Sequence, residues 1–165
     1  MPEATPHDTH RDLLDALGDL RRFWERPDRR RWFLTELGAP VELAVLRTLA
    51  AVDRAGGPAV GRGEAPEVSV SAVADLLAVS QSTASRLVDQ AVRGGYLDRR
   101  TATDDRRRTG LALTASGRDL LVRADRIRHG WLAGVTADWE PADVERLAAL
   151  LRRFLDDAEV AERWR

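Results

Sequence analysis

The sequence predicts a mainly α-helical fold: a winged helix-turn-helix whose wing is a small β-hairpin, set between helical arms at the N- and C-termini. Three observations predict it. Two short apolar-faced helices flank the turn Ala78-Val79-Ser80, an Arg-rich hairpin pattern follows over residues 96–113, and apolar stripes at helical spacing occupy both ends of the 165-residue chain.

In chain order, Leu13, Leu17, Leu20 and Trp24 mark a helix over residues 9–26, which Pro27 breaks or bends. Trp32, Phe33, Leu34 and Leu37 resume an apolar face before Gly38 and Pro40. Residues 41–52 read as a helix with Val41, Val45, Leu49 and Val52 inward. Residues 54–67 (RAGGPAVGRGEAPE) form a long Gly- and Pro-rich loop. A short helix over residues 72–77 takes Ser69 or Ser71 as its cap and turns Val73, Leu76 and Leu77 inward. Ser80 caps the next helix, in which Ala84, Leu87, Val88 and Ala91 make a core-facing stripe opposite Ser82, Ser85, Arg86 and Asp89.

Gly94-Gly95 ends that helix as a left-handed cap. Residues 96–100 and 109–113 read as strands, with Leu111 and Leu113 inward and a charged tip between them. Thr114 caps a long helix carrying Leu120, Ala124, Ile127, Trp131 and Val135. Pro141 fits the first turn of a last helix, whose stripe is Val144, Leu147, Ala148, Leu151, Phe154, Leu155 and Ala158.

The helix opened by Ser80 has the chemistry of a major-groove reader. Gln81, Ser82, Thr83 and Ser85 are small or polar and allow close approach, the capped N-terminus favours phosphate, and Arg86 reaches guanine edges. The hairpin tip carries Asp104, Asp105, Arg106, Arg107 and Arg108. Arginines on a protruding hairpin suit the negative potential of a narrow minor groove, and a carboxylate braces such an arginine by paired hydrogen bonds.

Net charge is −1, so any nucleic-acid contact comes from a local patch rather than from a polycation. Residues 86–108 supply one, with seven Arg against four Asp. All 26 basic residues are Arg, a bias that a GC-rich coding genome explains without function. The absence of cysteine excludes disulfides, thiol redox sensing and Cys-ligated metals. The sequence contains no signal-peptide pattern and no membrane-spanning run, and the expected location is cytoplasmic. His7, His10 and His129 are the only histidines; no metal and no cofactor is expected. No carboxylate stands with a nucleophile or histidine in a catalytic pattern, so no enzyme is expected.

The sequence resembles the MarR family of bacterial transcription regulators. The resemblance rests on VSQSTASRLVD at 79–89, GYLDR at 95–99, Asp105-Arg106-Arg107, and Leu111-Ala112-Leu113-Thr114 followed by Gly117. It implies that the first segment opens the recognition helix and that Asp105 braces Arg107 for minor-groove insertion. The implied domains are an N-terminal dimerisation helix region (1–38), a winged helix-turn-helix DNA-binding domain (39–113) and C-terminal dimerisation helices (114–165). The implied function is a homodimeric repressor of a palindromic operator on double-stranded DNA. Loop 54–67 departs from the family by its length and its Gly and Pro content; Ala91-Val92 stands where the family often has Leu-Glu.

The aromatic residues lie almost entirely in the arms. Terminal stripes with no internal partner point to a core shared by two chains, a reading the resemblance also implies. The resemblance implies a small aromatic or anionic effector between the arms and the reader, for which Phe23, Trp24, Trp32 and Trp131 are the candidate lining, with Arg22 or Arg47 meeting a carboxylate; dimer core is the plainer reading of these aromatics. For the winged helix itself, the alternative to DNA reading is a protein-interaction module without specific DNA binding.

Overall fold

The computed structural model describes residues 6–57, 68–101 and 109–162. The described elements are α1 (Pro6–Glu25), α2 (Pro27–Leu37), α3 (Leu43–Gly56), α4 (Val70–Leu77), α5 (Gln81–Arg93), β1 (Leu97–Thr101), β2 (Thr109–Leu113), α6 (Ala115–Val135) and α7 (Pro141–Glu162). The expected mainly helical winged fold is therefore present, with a two-stranded antiparallel hairpin. Among the described residues, no helix is long and apolar enough to cross a membrane.

The break between α1 and α2 follows from Pro27, which opens α2 where a helix has no intrahelical use for the missing N–H. Gly38 closes α2 in the left-handed conformation (φ 60°), donating to the carbonyls of Leu34 and Thr35. Ser69 caps α4 by accepting from the Ala72 N–H, so α4 starts at Val70, two residues before the sequence reading placed it. Its buried residues are Val73 and Ala74, while Leu76, expected inward, is 44 % exposed. The small Ala74 lets α4 pack closely and leaves Leu76 at the margin.

The chain divides into two compact units, Met1–Asp125 and Arg126–Arg165, with the division inside α6. The core of the first unit gathers Leu37 from α2, Leu46 and Leu49 from α3, Val73 from α4, Val88 from α5, Leu97 from β1 and Leu120 from α6, each 2 % exposed or less. A leucine buried to that degree contributes about 1.5–3 kcal/mol. Thr48, the buried polar side chain of this core, donates to the Ala44 carbonyl at 2.9 Å and so carries no unmet hydroxyl. Arg123 of α6 reaches the Leu37 carbonyl at 3.3 Å, tying α6 to the end of α2.

In the hairpin, Leu97 pairs with Leu113 and Arg99 with Leu111, so these four share one face. Val68 adds an isolated bridge to Leu111, with the Leu111 N–H donating to the Val68 carbonyl at 2.8 Å. The second unit holds the end of α6 and α7; Val144 is half-buried, while the leucines of α7 and Phe154 remain exposed, from 39 % at Leu151 to 60 % at Leu155.

Candidate nucleic-acid interface

The reader is built from α5 outward. Ser80, in extended conformation, accepts from the Thr83 N–H at 3.3 Å, as its capping role requires. Its hydroxyl also lies 3.1 Å from that of Ser82 and 2.9 Å from that of Thr83, making a hydroxyl cluster over the first turn. Ala84, Val88 and Ala91 are fully buried, which fixes the rotation of α5 about its axis. Leu87, expected on the same stripe, is half-buried at its edge.

That rotation turns Gln81, Ser82 and Arg86 outward, with Thr83 and Ser85 half-buried beside them. Arg86 folds back along the helix, its guanidinium 3.5 Å from the Thr83 hydroxyl. Thr83, Arg86, Asp89, Gln90 and Arg93 line a groove of about 350 Å³ along the exposed side of α5. The five sequence-predicted residues of this helix are thus brought together on one capped end. Asp105, Arg106 and Arg107 lie outside the described residues, as do residues 58–67 of the Gly/Pro-rich loop.

Two side-chain bonds on this surface were not legible as pairs in the sequence. Gln90 donates to Glu42 at 3.1 Å, joining α5 to the start of α3. Arg99 of β1 binds Asp89 of α5 at 2.6 Å, joining the wing's base to the reader. The strand alternation held the clue to the second: what turns Leu97 inward puts Arg99 on the same face of β1, at the exposed edge beside α5, where a cation can meet a carboxylate.

The junction below the reader is tightly determined. Gly94 ends α5 in right-handed conformation, and Gly95 (φ 73°), not Gly94, is the left-handed residue. The N–H of Tyr96 donates to the Ala91 carbonyl at 3.0 Å, which uses Tyr96 in the turn and starts β1 at Leu97. Thr114 donates its hydroxyl to the Gly95 carbonyl at 2.7 Å and accepts from the Gly117 N–H at 3.0 Å, capping α6 as expected.

Among the aromatic residues, Phe23, Trp24 and Trp32 gather around the Arg29 guanidinium, at 4.0, 5.3 and 5.9 Å from its carbon. Trp131 stands half-buried on α6 in the second unit. Trp24 also lines a cavity of about 760 Å³ with Arg21, Arg30, Arg47, Leu76 and Leu87. Arg22 pairs instead with Asp19.

The model of the MarR family matches residues 40–108. No curated protein sequence matches the chain. Among solved structures, a MarR family protein from Bacillus stearothermophilus superposes with TM-score 0.75 at 18% identity, covering 94% of this chain and 99% of that one. The transcriptional regulator BldR from Sulfolobus solfataricus gives 0.64 at 20% identity, over 93% and 99% of the two chains. A variant of S. aureus MepR bound to an oligodeoxyribonucleotide gives 0.56 at 17% identity, over 90% and 97%. MepR bound to ethidium bromide gives 0.57 at 17% identity, over 94% and 98%. Residues 40–108 of this chain are thus similar to the MarR family, and the chain has the fold of MarR-family structures over most of its length.

Proposed function

We propose that this chain is a sequence-specific DNA-binding transcription regulator, a bacterial, cytoplasmic repressor that grips a palindromic operator as a homodimer. The observation that carries the reading is the exposed end of α5. It is a capped helix N-terminus bearing small hydroxyls and one arginine, held in fixed rotation by a fully buried stripe. Gln81, Ser82, Thr83, Ser85 and Arg86 face the major groove. Arg107, with Arg106 beside it and Asp105 bracing, enters the minor groove. Residues 39–113 are the reader, while 1–38 and 114–165 join the two chains, a role supported by the exposed leucines of α1 and α7. Two-fold symmetry then sets the recognition helices about 34 Å apart, one DNA turn.

The cavity beside Trp24 is the proposed effector site. It offers an aromatic ring, apolar walls and the guanidinium-bearing Arg30 and Arg47 beside an Arg21–Glu25 ion pair at 2.9 Å, a set suited to a small aromatic acid. Leu76 of α4 and Leu87 of α5 belong to its wall, so an occupant rests directly on the helix-turn-helix. Such a ligand releases DNA through its different affinity for two spacings of the readers. By analogy of fold, the oligonucleotide complex of a MepR variant supports DNA binding, and the ethidium complex of MepR supports binding of a flat aromatic molecule without bearing on its charge.

A salt titration of duplex binding tests the wing. Arg107→Ala is expected to weaken binding to most sequences and to lower the log–log salt slope by about 1 per subunit. An unchanged slope contradicts minor-groove insertion.

A further inference from the structure

Asp89 is out of place on a DNA-reading surface. It lines the groove along α5 with Thr83, Arg86 and Arg93, where a carboxylate opposes phosphate. Its partner across the element boundary is Arg99, at 2.6 Å, rather than Arg86 or Arg93, its neighbours three residues before and four after. Stability does not account for the pair: the side chains are 46 % and 39 % exposed, and ion pairs in that setting contribute little.

Arg99 is held where it is by the hairpin. It shares a face with Leu97, Leu111 and Leu113, which are buried, and its side chain reaches Asp89 at the edge of α5. Without a carboxylate opposite, its long side chain would extend from the wing's base toward the nearest backbone phosphate. A phosphate contact adds affinity for every sequence equally, because the phosphate charge is the same at each step of the duplex. Discrimination between operator and bulk DNA depends on the ratio of specific to sequence-blind binding.

We propose that Asp89 is a specificity-determining residue that acts by restraining Arg99: the pair withholds one cation per subunit from the phosphate backbone and so lowers sequence-blind binding. The inference rests on the reading of the chain as a DNA-binding regulator. It makes Asp89 a positioning residue, and it gives Asp89→Asn an effect of unexpected sign, a gain of affinity for random DNA.

The experiment is fluorescence anisotropy of the full chain with a random-sequence duplex across a salt series, for the natural sequence, D89N, R99Q and the double variant. D89N is expected to tighten binding by about three- to tenfold at low salt and to steepen the log–log slope by about 1 per subunit. R99Q and the double variant are not expected to exceed the natural slope, because the released cation is missing. A D89N slope equal to the natural one overturns the proposal. So does a slope that D89N steepens equally in the R99Q background, since the carboxylate would then act on its own. A purely structural pair would instead loosen the wing and weaken binding in D89N and R99Q alike, which also overturns it. If the natural chain fails to bind duplex DNA at all, the regulator reading falls and takes this inference with it; if it binds and D89N does not steepen the slope, only the restraint of Arg99 is lost.

Discussion

Arg86 lies on the exposed face of α5, its guanidinium resting 3.5 Å from the Thr83 hydroxyl. A contact that weak is readily exchanged for a base edge. Arg86→Ala is expected to cost about 1–3 kcal/mol of binding and to relax preference at particular base pairs if the side chain reads guanine. A loss equal on every sequence, measured by competition among operator variants, would make Arg86 a phosphate contact. At this scale the sequence was legible wherever a residue acts on its own near neighbours. Ser69 and Ser80 cap the helices that follow them, and Thr114 caps α6, because each bonds an amide only three residues away. Asp89–Arg99 and Glu42–Gln90 join residues that the fold alone brings together, across a double-glycine turn in one case and 48 positions in the other.

The joint between α5, the hairpin and α6 is where single elements constrain one another. Gly117, in the first turn of α6, is buried, and a Cβ placed there would overlap the Tyr96 carbonyl oxygen and come within 3.1 Å of the Leu113 side chain. That carbonyl cannot move freely, since it accepts the Thr114 N–H. Gly117→Ala is therefore expected to destabilise the fold by about 1–3 kcal/mol, read as a lower denaturant midpoint with an unchanged slope. An unshifted midpoint would show that the junction yields. The order and type of the elements followed from apolar periodicity, and β2 lies at residues 109–113 as the alternation of Leu111 and Leu113 implies. Boundaries were less legible. β1 begins at Leu97 because Tyr96 is consumed by the turn, and Leu76 stays at the surface because Ala74 takes the close contact. The Val68 bridge to Leu111 could not be read, since one residue makes no alternating pattern.

Across the whole molecule, the apolar stripe along α7 is amphipathic yet exposed: Leu147, Leu151, Phe154 and Leu155 are 39–60 % accessible. A row of leucines recurring at helical spacing on an exposed face is suited to a second copy of the chain. Leu151→Glu with Leu155→Glu is expected to shift the molecule from dimer to monomer in sedimentation velocity, with helical content by circular dichroism retained. A natural chain that sediments as a monomer would contradict the paired-reader account. Both the stripe and its lack of an internal partner were plain in the sequence, but periodicity marks an apolar face without saying what covers it.

The central claim is that this chain reads a specific duplex through two copies of α5, and footprinting the natural protein on the DNA upstream of its own gene, with excess random-sequence competitor, tests it most directly. The expected result is a discrete complex that survives the competitor and protects two half-sites about one helical turn, 34 Å, apart. Binding that any DNA abolishes equally, or protection without paired half-sites, would contradict it.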